Sequence, residues 1–218
     1  MKKKILFGVG LVLIITISYL YIYQQKSNKE EIKNDYCLTT KEKNRLQEGD
    51  IIFRHGFGII SDIIVKYAES DYPISHCGII IKDSFGKLFV IHTVSNTLAD
   101  IDGMQKDKLN VFVKGSHKNS IIVARYNYEN NTQPQKIAKQ ANYYLSKRIP
   151  FDNNFDCTDS SAFFCTEFIY MVFKNAIGVN LYESVNEKEK NCMSFSPFLD
   201  TTKFTIVLNH FPSQTTPL

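Results

Sequence analysis

Apolar and polar positions along this chain change their spacing several times, and each change marks an element. Ile5 to Tyr23 carries no charge and shows no polar face. It reads as a helix that needs apolar surroundings on every side. At 1.5 Å per residue, its roughly 19 residues nearly cross a ~30 Å hydrocarbon layer. Gln24 to about Asn44 is polar and rich in Lys, Glu and Asn, a linker pattern with some helical character. The folded part starts near Leu46. The turn Gln47-Glu48-Gly49-Asp50 leads into a short strand, Ile51-Ile52-Phe53-Arg54. Ile60, Ile63, Ile64 and Tyr67 have helical spacing and predict a helix over 59–68. Period-two runs over 75–82 and 88–94 flank Asp83-Ser84-Phe85-Gly86, which reads as a hairpin turn. Residues 96–119 have mixed polarity and predict a loop with a helical turn. Residues 120–125 predict another strand.

A second helix is expected over 134–147. Thr132 and Gln135 have capping-box spacing, and Ile137, Ala138, Ala141 and Leu145 line one face. A third starts near Cys165, continues through Phe168, Ile169, Val172, Phe173 and Ala176, and stops at Gly178. A charged loop, 186–191, and a closing strand over 203–208 follow. Strand and helix, then a meander, then helices predict an α+β fold with a small antiparallel sheet, not a doubly wound parallel one. Residues 1–23 would be the membrane segment, 24–45 the linker and 46–218 one folded domain.

Charge adds an orientation. The formal net charge is +4, and Lys2, Lys3 and Lys4 supply three of the cations. Positive charge before the span predicts the N-terminus inside and the domain outside, a single-pass cell-membrane protein with an extracytoplasmic domain. Tyr19, Tyr21 and Tyr23 stand where an aromatic belt would lie. A cleaved signal peptide is the competing reading. Its apolar region would be shorter and would end in small residues, whereas this run ends Tyr-Ile-Tyr-Gln-Gln-Lys. An uncleaved signal-anchor is therefore expected. No Arg/Lys stripe with interleaved aromatics is present, so nucleic acid is not an expected partner.

The candidate chemistry is a thiol. Five cysteines, Cys37, Cys77, Cys157, Cys165 and Cys192, are an odd number. An exported protein with that count keeps at least one thiol unpaired. Cys165 opens an apolar-faced helix, where unpaired N–H groups favour a thiolate. A base beside it would make it a nucleophile. The candidate base is His76 in Ser75-His76-Cys77-Gly78-Ile79. Alternation puts His76, Gly78, Ile80 and Lys82 on one strand face, with Cys77, Ile79 and Ile81 toward the core. His92 lies on the face of Leu88, Val90 and Val94. An odd-length turn centred on Ser84 would set His76 opposite His92 on a shared face; an even turn would separate them. One imidazole would then deprotonate the thiol while the other orients it.

Each residue also has a plainer reading. His76 and His92 could be strand histidines with backbone partners, and Cys165 a buried thiol. Asp152 and Asp159 could orient the loop before the cysteine or form its turns. His55, just after the first strand, is a candidate pocket residue; His117 and His210 read as surface loop residues. A zinc set of His76, His92 and Cys165 is conceivable. No close CxxC or HxxxH pair supports it, and neither a metal nor a cofactor is expected.

The stretch from Leu46 to Ala176 resembles the YiiX/YaeF-type permuted papain-like amidases, relatives of the NlpC-type cell-wall peptidases. Glu48-Gly49-Asp50-Ile51-Ile52-Phe53 resembles their opening strand, and Ser75-His76-Cys77-Gly78-Ile79 the strand of their catalytic histidine. Phe89-Val90-Ile91-His92 resembles the strand of their third polar residue. Pro150 to Phe155, followed by Phe164-Cys165-Thr166-Glu167-Phe168, resembles the nucleophile segment. Histidine before cysteine is the permuted order.

The resemblance implies a circularly permuted papain-like fold and a thiol hydrolase that cleaves an amide bond through Cys165, His76 and His92. The substrate would be a peptide or an N-acylated small molecule or lipid. Two departures stand out: His92 replaces an often acidic residue, and Phe164 replaces a common hydroxyl-bearing aromatic. Two other functions fit the same residues. One is a membrane-associated acyltransferase that resolves the same thioester. The other is a catalytically silent surface-binding module.

Overall fold

The computed structural model of the chain describes residues 2–68, 70–97, 101–157, 160–182 and 192–212, with side chains from residue 8. The apolar run and the polar stretch after it form one unbroken helix, α1 (Lys2–Lys33). Its residues from Val9 to Ile22 expose large apolar side chains. Residues Gly8–Lys33 are long and apolar enough to cross a membrane. The polar end of the helix docks on the domain. Ser27 and Asn34 are buried, and Asn34 Nδ2 donates to the Lys114 and Ser116 carbonyls. After α2 (Thr40–Lys43) come β1 (Ile51–Gly56), α3 (Ile59–Tyr67), β2 (His76–Lys82), β3 (Leu88–Val94) and β4 (Gly103–Lys108). The rest is α4 (Leu109–Lys114), β5 (Ser116–Tyr126), α5 (Gln133–Lys147), α6 (Cys165–Ile177) and β6 (Phe204–Asn209).

The six strands form one sheet in the order β4-β3-β2-β1-β5-β6, with every neighbouring pair antiparallel. Alternating side chains divide the interior into two layers. On one face Ile51, Phe53, Cys77, Ile79, Ile81 and Ile91 pack with residues of α5 and α6, including Ile137, Ala141, Phe168 and Val172. On the other, Ile52, Ile80, Val90 and Val123 pack with Phe112 and Val113 of α4 and with Leu38 and Leu46. This is the mixed helix and antiparallel-sheet architecture expected.

Several local details differ from the sequence reading. The hairpin pairs Lys82 with Leu88, so its turn centres on Phe85 and not Ser84. Asp83 Oδ1 accepts from the Phe85 and Lys87 N–H groups, and Gly86 takes φ +76°. This side-chain-closed turn is two residues longer than a turn centred on Ser84. Residues 103–108, expected in a loop, form β4 along β3. The capping box of α5 is not made: Thr132 Oγ1 donates to Asn130 Oδ1 instead, and a proline occupies the first turn. α6 begins at Cys165 after an extended Phe164 and ends at Gly178, whose φ of +74° permits the left-handed cap. The charged loop 186–191 lies outside the described residues.

Candidate active site

β2 and β3 bring the two histidines together. The observed register sets Gly78 level with His92 and His76 one pair further along, a diagonal relation on a shared face. A side chain at position 78 would not fit there. A Cβ on Gly78 would lie 2.5 Å from Val90 Cγ1 and 3.1 Å from His92 Cβ. With that space open, His76 Nε2 and His92 Nδ1 are 3.0 Å apart. Both rings rest on Phe112 of α4, at centroid distances of 5.7 Å and 5.2 Å.

β4 adds a residue that the sequence reading did not single out. His92 Nε2 lies 3.1 Å from Asp107 Oδ2. Hydrogen bonding from His92 holds the Asp107 carboxyl below the ordinary carboxylate range, so it is ionised and can only accept. That fixes the tautomers in turn. His92 Nε2–H donates to Asp107, and His92 Nδ1 accepts from His76 Nε2–H. His76 Nδ1 is left with the lone pair. No hydrogen bond to that nitrogen is found among the described residues. Burial, then the charge of Arg54, then His92 hold His76 well below its ordinary value. Burial is also the largest influence lowering His92. The two rings are therefore neutral at pH 7, the state a base requires.

Arg54 of β1 stands beside this chain. Its guanidinium lies 4.3 Å over the Phe112 ring, and Nη1 donates to the Phe112 carbonyl at 2.7 Å. Burial pushes its pKa down to about 10, so it stays a cation. It is electrostatically coupled to Cys165 and Asp107 as well as to both histidines.

Cys165 opens α6 and is partly exposed. It packs with the layer between the sheet and α5–α6. A hydrogen bond from the Cys77 thiol lowers its pKa most, and the N–H groups of Cys77, Thr166 and Cys165 lower it further against the cost of burial. Burial drives Cys77 the other way. The pair is thus asymmetric: Cys165 is the more acidic of the two thiols, and Cys77 donates to it. Cys77 faces the core, as alternation predicts, and lies beside the nucleophile candidate as well. Among the described residues no hydrogen bond joins the Cys165 sulfur to either imidazole. The structure links His76 to His92 on the Phe112 layer of the sheet, and it seats Cys165 beside Cys77 in the opposite layer, within the field of Arg54.

The approach to Cys165 is held by backbone and disulfide. Phe151 and Phe163 form a parallel bridge, and Thr93 Oγ1 of β3 donates to the Phe163 carbonyl at 3.3 Å. Asp152 is buried and accepts from the Asn154 and Asp156 N–H groups, the turn-forming role. Asp159 lies outside the described residues. Cys157 and Cys192 form a disulfide, and the Cys192 carbonyl accepts from Thr166 Oγ1 at 2.7 Å. Spacing alone offered no signal for this pairing.

The other histidines are placed apart from this chain. His210 is half-buried between Tyr36 and Glu42, with Nε2 2.8 Å from Glu42 Oε1. His117 stacks on His55 and Phe57.

Three comparisons bear on this geometry. The family described as permuted papain-like amidase enzyme, YaeF/YiiX, C92 family, matches residues 45–199. The uncharacterized protein YiiX of Escherichia coli (strain K12) is 28% identical over 144 residues, 66% of this chain and 65% of that protein. The chain thus spans just under two thirds of that relative's length. The crystal structure of metalloprotein yiiX from Escherichia coli O157:H7 superposes with a TM-score of 0.60 at 23% identity. It covers 77% of this chain and 99% of that one. At that identity the superposition speaks for the fold.

Proposed function

Because the chain belongs to the permuted papain-like amidase family, we propose that it is a thiol hydrolase acting on an amide bond through Cys165, His76 and His92. The observation that carries this reading is the tautomer chain from Asp107 through His92, which leaves the lone pair on His76 Nδ1. Attack calls for a movement that carries His76 Nδ1 to the Cys165 sulfur; His76 then takes the Cys165 proton, and the sulfur adds to the substrate carbonyl carbon. Backbone N–H groups at the start of α6 stabilise the oxyanion. Collapse breaks the C–N bond, the leaving amine takes the proton from His76, and a thioester remains. Water attacks the thioester, His76 accepts its proton, and the acid leaves as the thiolate returns. His92 and Asp107 act as positioning residues. The Arg54 charge favours the thiolate and disfavours a doubly protonated His76.

The solved Escherichia coli relative is titled a metalloprotein. In this chain the two His92 nitrogens and His76 Nε2 are already engaged in the serial chain. Among the described residues the three metal-capable groups whose ligand atoms converge are His55, Asp62 and His117. The cysteine–histidine site does not present that arrangement, and no step of the reaction runs through a metal.

The expected substrate class is a peptide or an N-acylated small molecule or lipid. The proposed location is the cell membrane, held through residues 5–23, with the domain on the extracytoplasmic side. The disulfide fits an oxidising compartment. A thiol-directed acyl probe should label the wild-type chain and fail to label Cys165→Ala, while circular dichroism stays unchanged. Labelling retained in the Cys165→Ala protein overturns the assignment.

A further inference from the structure

We propose that His55, Asp62 and His117 bind one divalent transition-metal cation of the zinc class, at a place separate from the cysteine–histidine chain. One ligand atom from each of these residues lies within 4.8 Å of the other two. His55 Nε2 and Asp62 Oδ1 are 3.1 Å apart. Ligand atoms around a tetrahedral zinc, with bonds of about 2.0–2.1 Å, stand roughly 3.3 Å apart. Closing the set therefore asks for a ring movement on the order of 1 Å. Two imidazoles and one carboxylate form a donor set suited to a borderline divalent ion, with a fourth position for water.

The backbone around the set is irregular in a way that aims the rings. β1 and β5 pair Arg54 with Ile121 and Gly56 with Ser116. Residues 117–120 thus stand against His55 alone, a large bulge. Such a bulge turns a side chain out of the regular alternation. Asn119 takes φ +59° within it, and Ser120 Oγ donates to the His117 carbonyl at 2.6 Å. The His117 ring is then held between His55 and Phe57, at centroid distances of 4.7 Å and 4.3 Å. The third residue comes from α3, in its first turn. Its second oxygen is already oriented: Tyr23 OH donates to Asp62 Oδ2 at 2.6 Å. Metal-binding carboxylates are characteristically held this way by an outer partner.

The three residues come from β1, β5 and α3, and Tyr23 from α1. A bound cation would tie the anchor helix to the sheet. None of the three is a member of the His76–His92–Asp107 chain. Cation binding therefore stands or falls independently of the hydrolase reading.

The test uses the full-length chain in detergent micelles, stripped with a chelator and titrated with zinc chloride by calorimetry. The wild type should bind one equivalent. His117→Ala and Asp62→Asn should lose it; Cys165→Ala and His76→Ala should keep it. Tyr23→Phe should weaken binding about ten- to hundredfold. X-ray absorption at the zinc edge of the wild-type protein needs no variant to fold. It should show two imidazole rings and oxygen, without sulfur. The proposal is overturned if the wild type binds no zinc, if binding survives both His117→Ala and Asp62→Asn, or if a sulfur ligand appears.

Discussion

Two groups of two histidines and one aspartate are built around the same sheet, and they differ in arrangement and not in composition. His76, His92 and Asp107 are strung in series, each ring passing a hydrogen bond to the next. His55, Asp62 and His117 face a common point. The serial group lies on a regular stretch of strands, where period two and the open space at Gly78 bring the rings together at 79° between their planes. The convergent group exists only because β5 leaves its ladder for four residues. His92 is 2% exposed, whereas His55 and Asp62 keep access to solvent. A series with a dry central ring suits the orientation of a proton; a convergent set that solvent reaches suits a cation. The same three side chains can thus support different chemistry, and the backbone around them decides which.

That contrast can be broken at several points. The largest expected effect is His76→Ala, which should slow acyl-probe labelling of Cys165 by about 10²–10⁴, measured by stopped-flow or quench. Rates within a factor of two of wild type would remove His76 as the base. Next is cation removal. With free zinc at about a hundred times its dissociation constant, stability should rise by about 2.7 kcal/mol over the stripped protein, read as a higher Tm. An unchanged Tm would leave only one functional histidine group. Asp107→Asn should be milder, roughly tenfold on labelling rate, because an amide accepts the same hydrogen bond without its charge. Its pH–rate profile should move on the acid side; a simple loss of folded protein would lower the amplitude and leave the profile in place.

The smallest effect concerns stability against pH. Burial lowers His76 and His92 in the folded state, so the unfolded chain binds more protons below its ordinary imidazole pKa of about 6.5. Stability is then fully present above that value and falls as pH drops below it. Each imidazole contributes at most about 1.4 kcal/mol per pH unit. Denaturant titrations at pH 7.5 and 5.5 should show it, and the His92→Phe protein should show less. A flat profile would mean that the rings take up protons in the folded protein as readily as in the unfolded chain.

Much of the serial group could be read from the chain itself. Alternation in Ser75–Lys82 and Leu88–Val94 gave each histidine its strand face and left the turn length to decide whether the faces coincide; the turn is odd, two residues longer than one centred on Ser84, and a shift of two positions keeps the same face. The difference arose in the turn, where the Asp83 side chain closes a longer loop than the Ser84-centred reading assumed. Asp107 was hidden because β4 reads Gly-Met-Gln-Lys-Asp-Lys, with no β-branched residue to announce a strand at the sheet edge. The convergent group left still less trace. His117 joins His55 through a bulge, and no spacing in His117-Lys118-Asn119-Ser120 encodes one. Cys77 was correctly placed toward the core, yet its role beside Cys165 depends on how α6 lies across β2, a tertiary fact.

The unbroken run of α1 past Tyr23 sets the height of the domain. From Tyr23 to Lys33 the helix rises about 15 Å. Along that rise it is pinned by Tyr23 to Asp62, by Gln24 to the Ile59 N–H and by Asn34 to the start of β5. A domain mounted on such a stanchion does not swing on a tether. It would work at one standoff and one attitude above a lipid surface, sampling whatever projects that far and ignoring what lies flush with the headgroups.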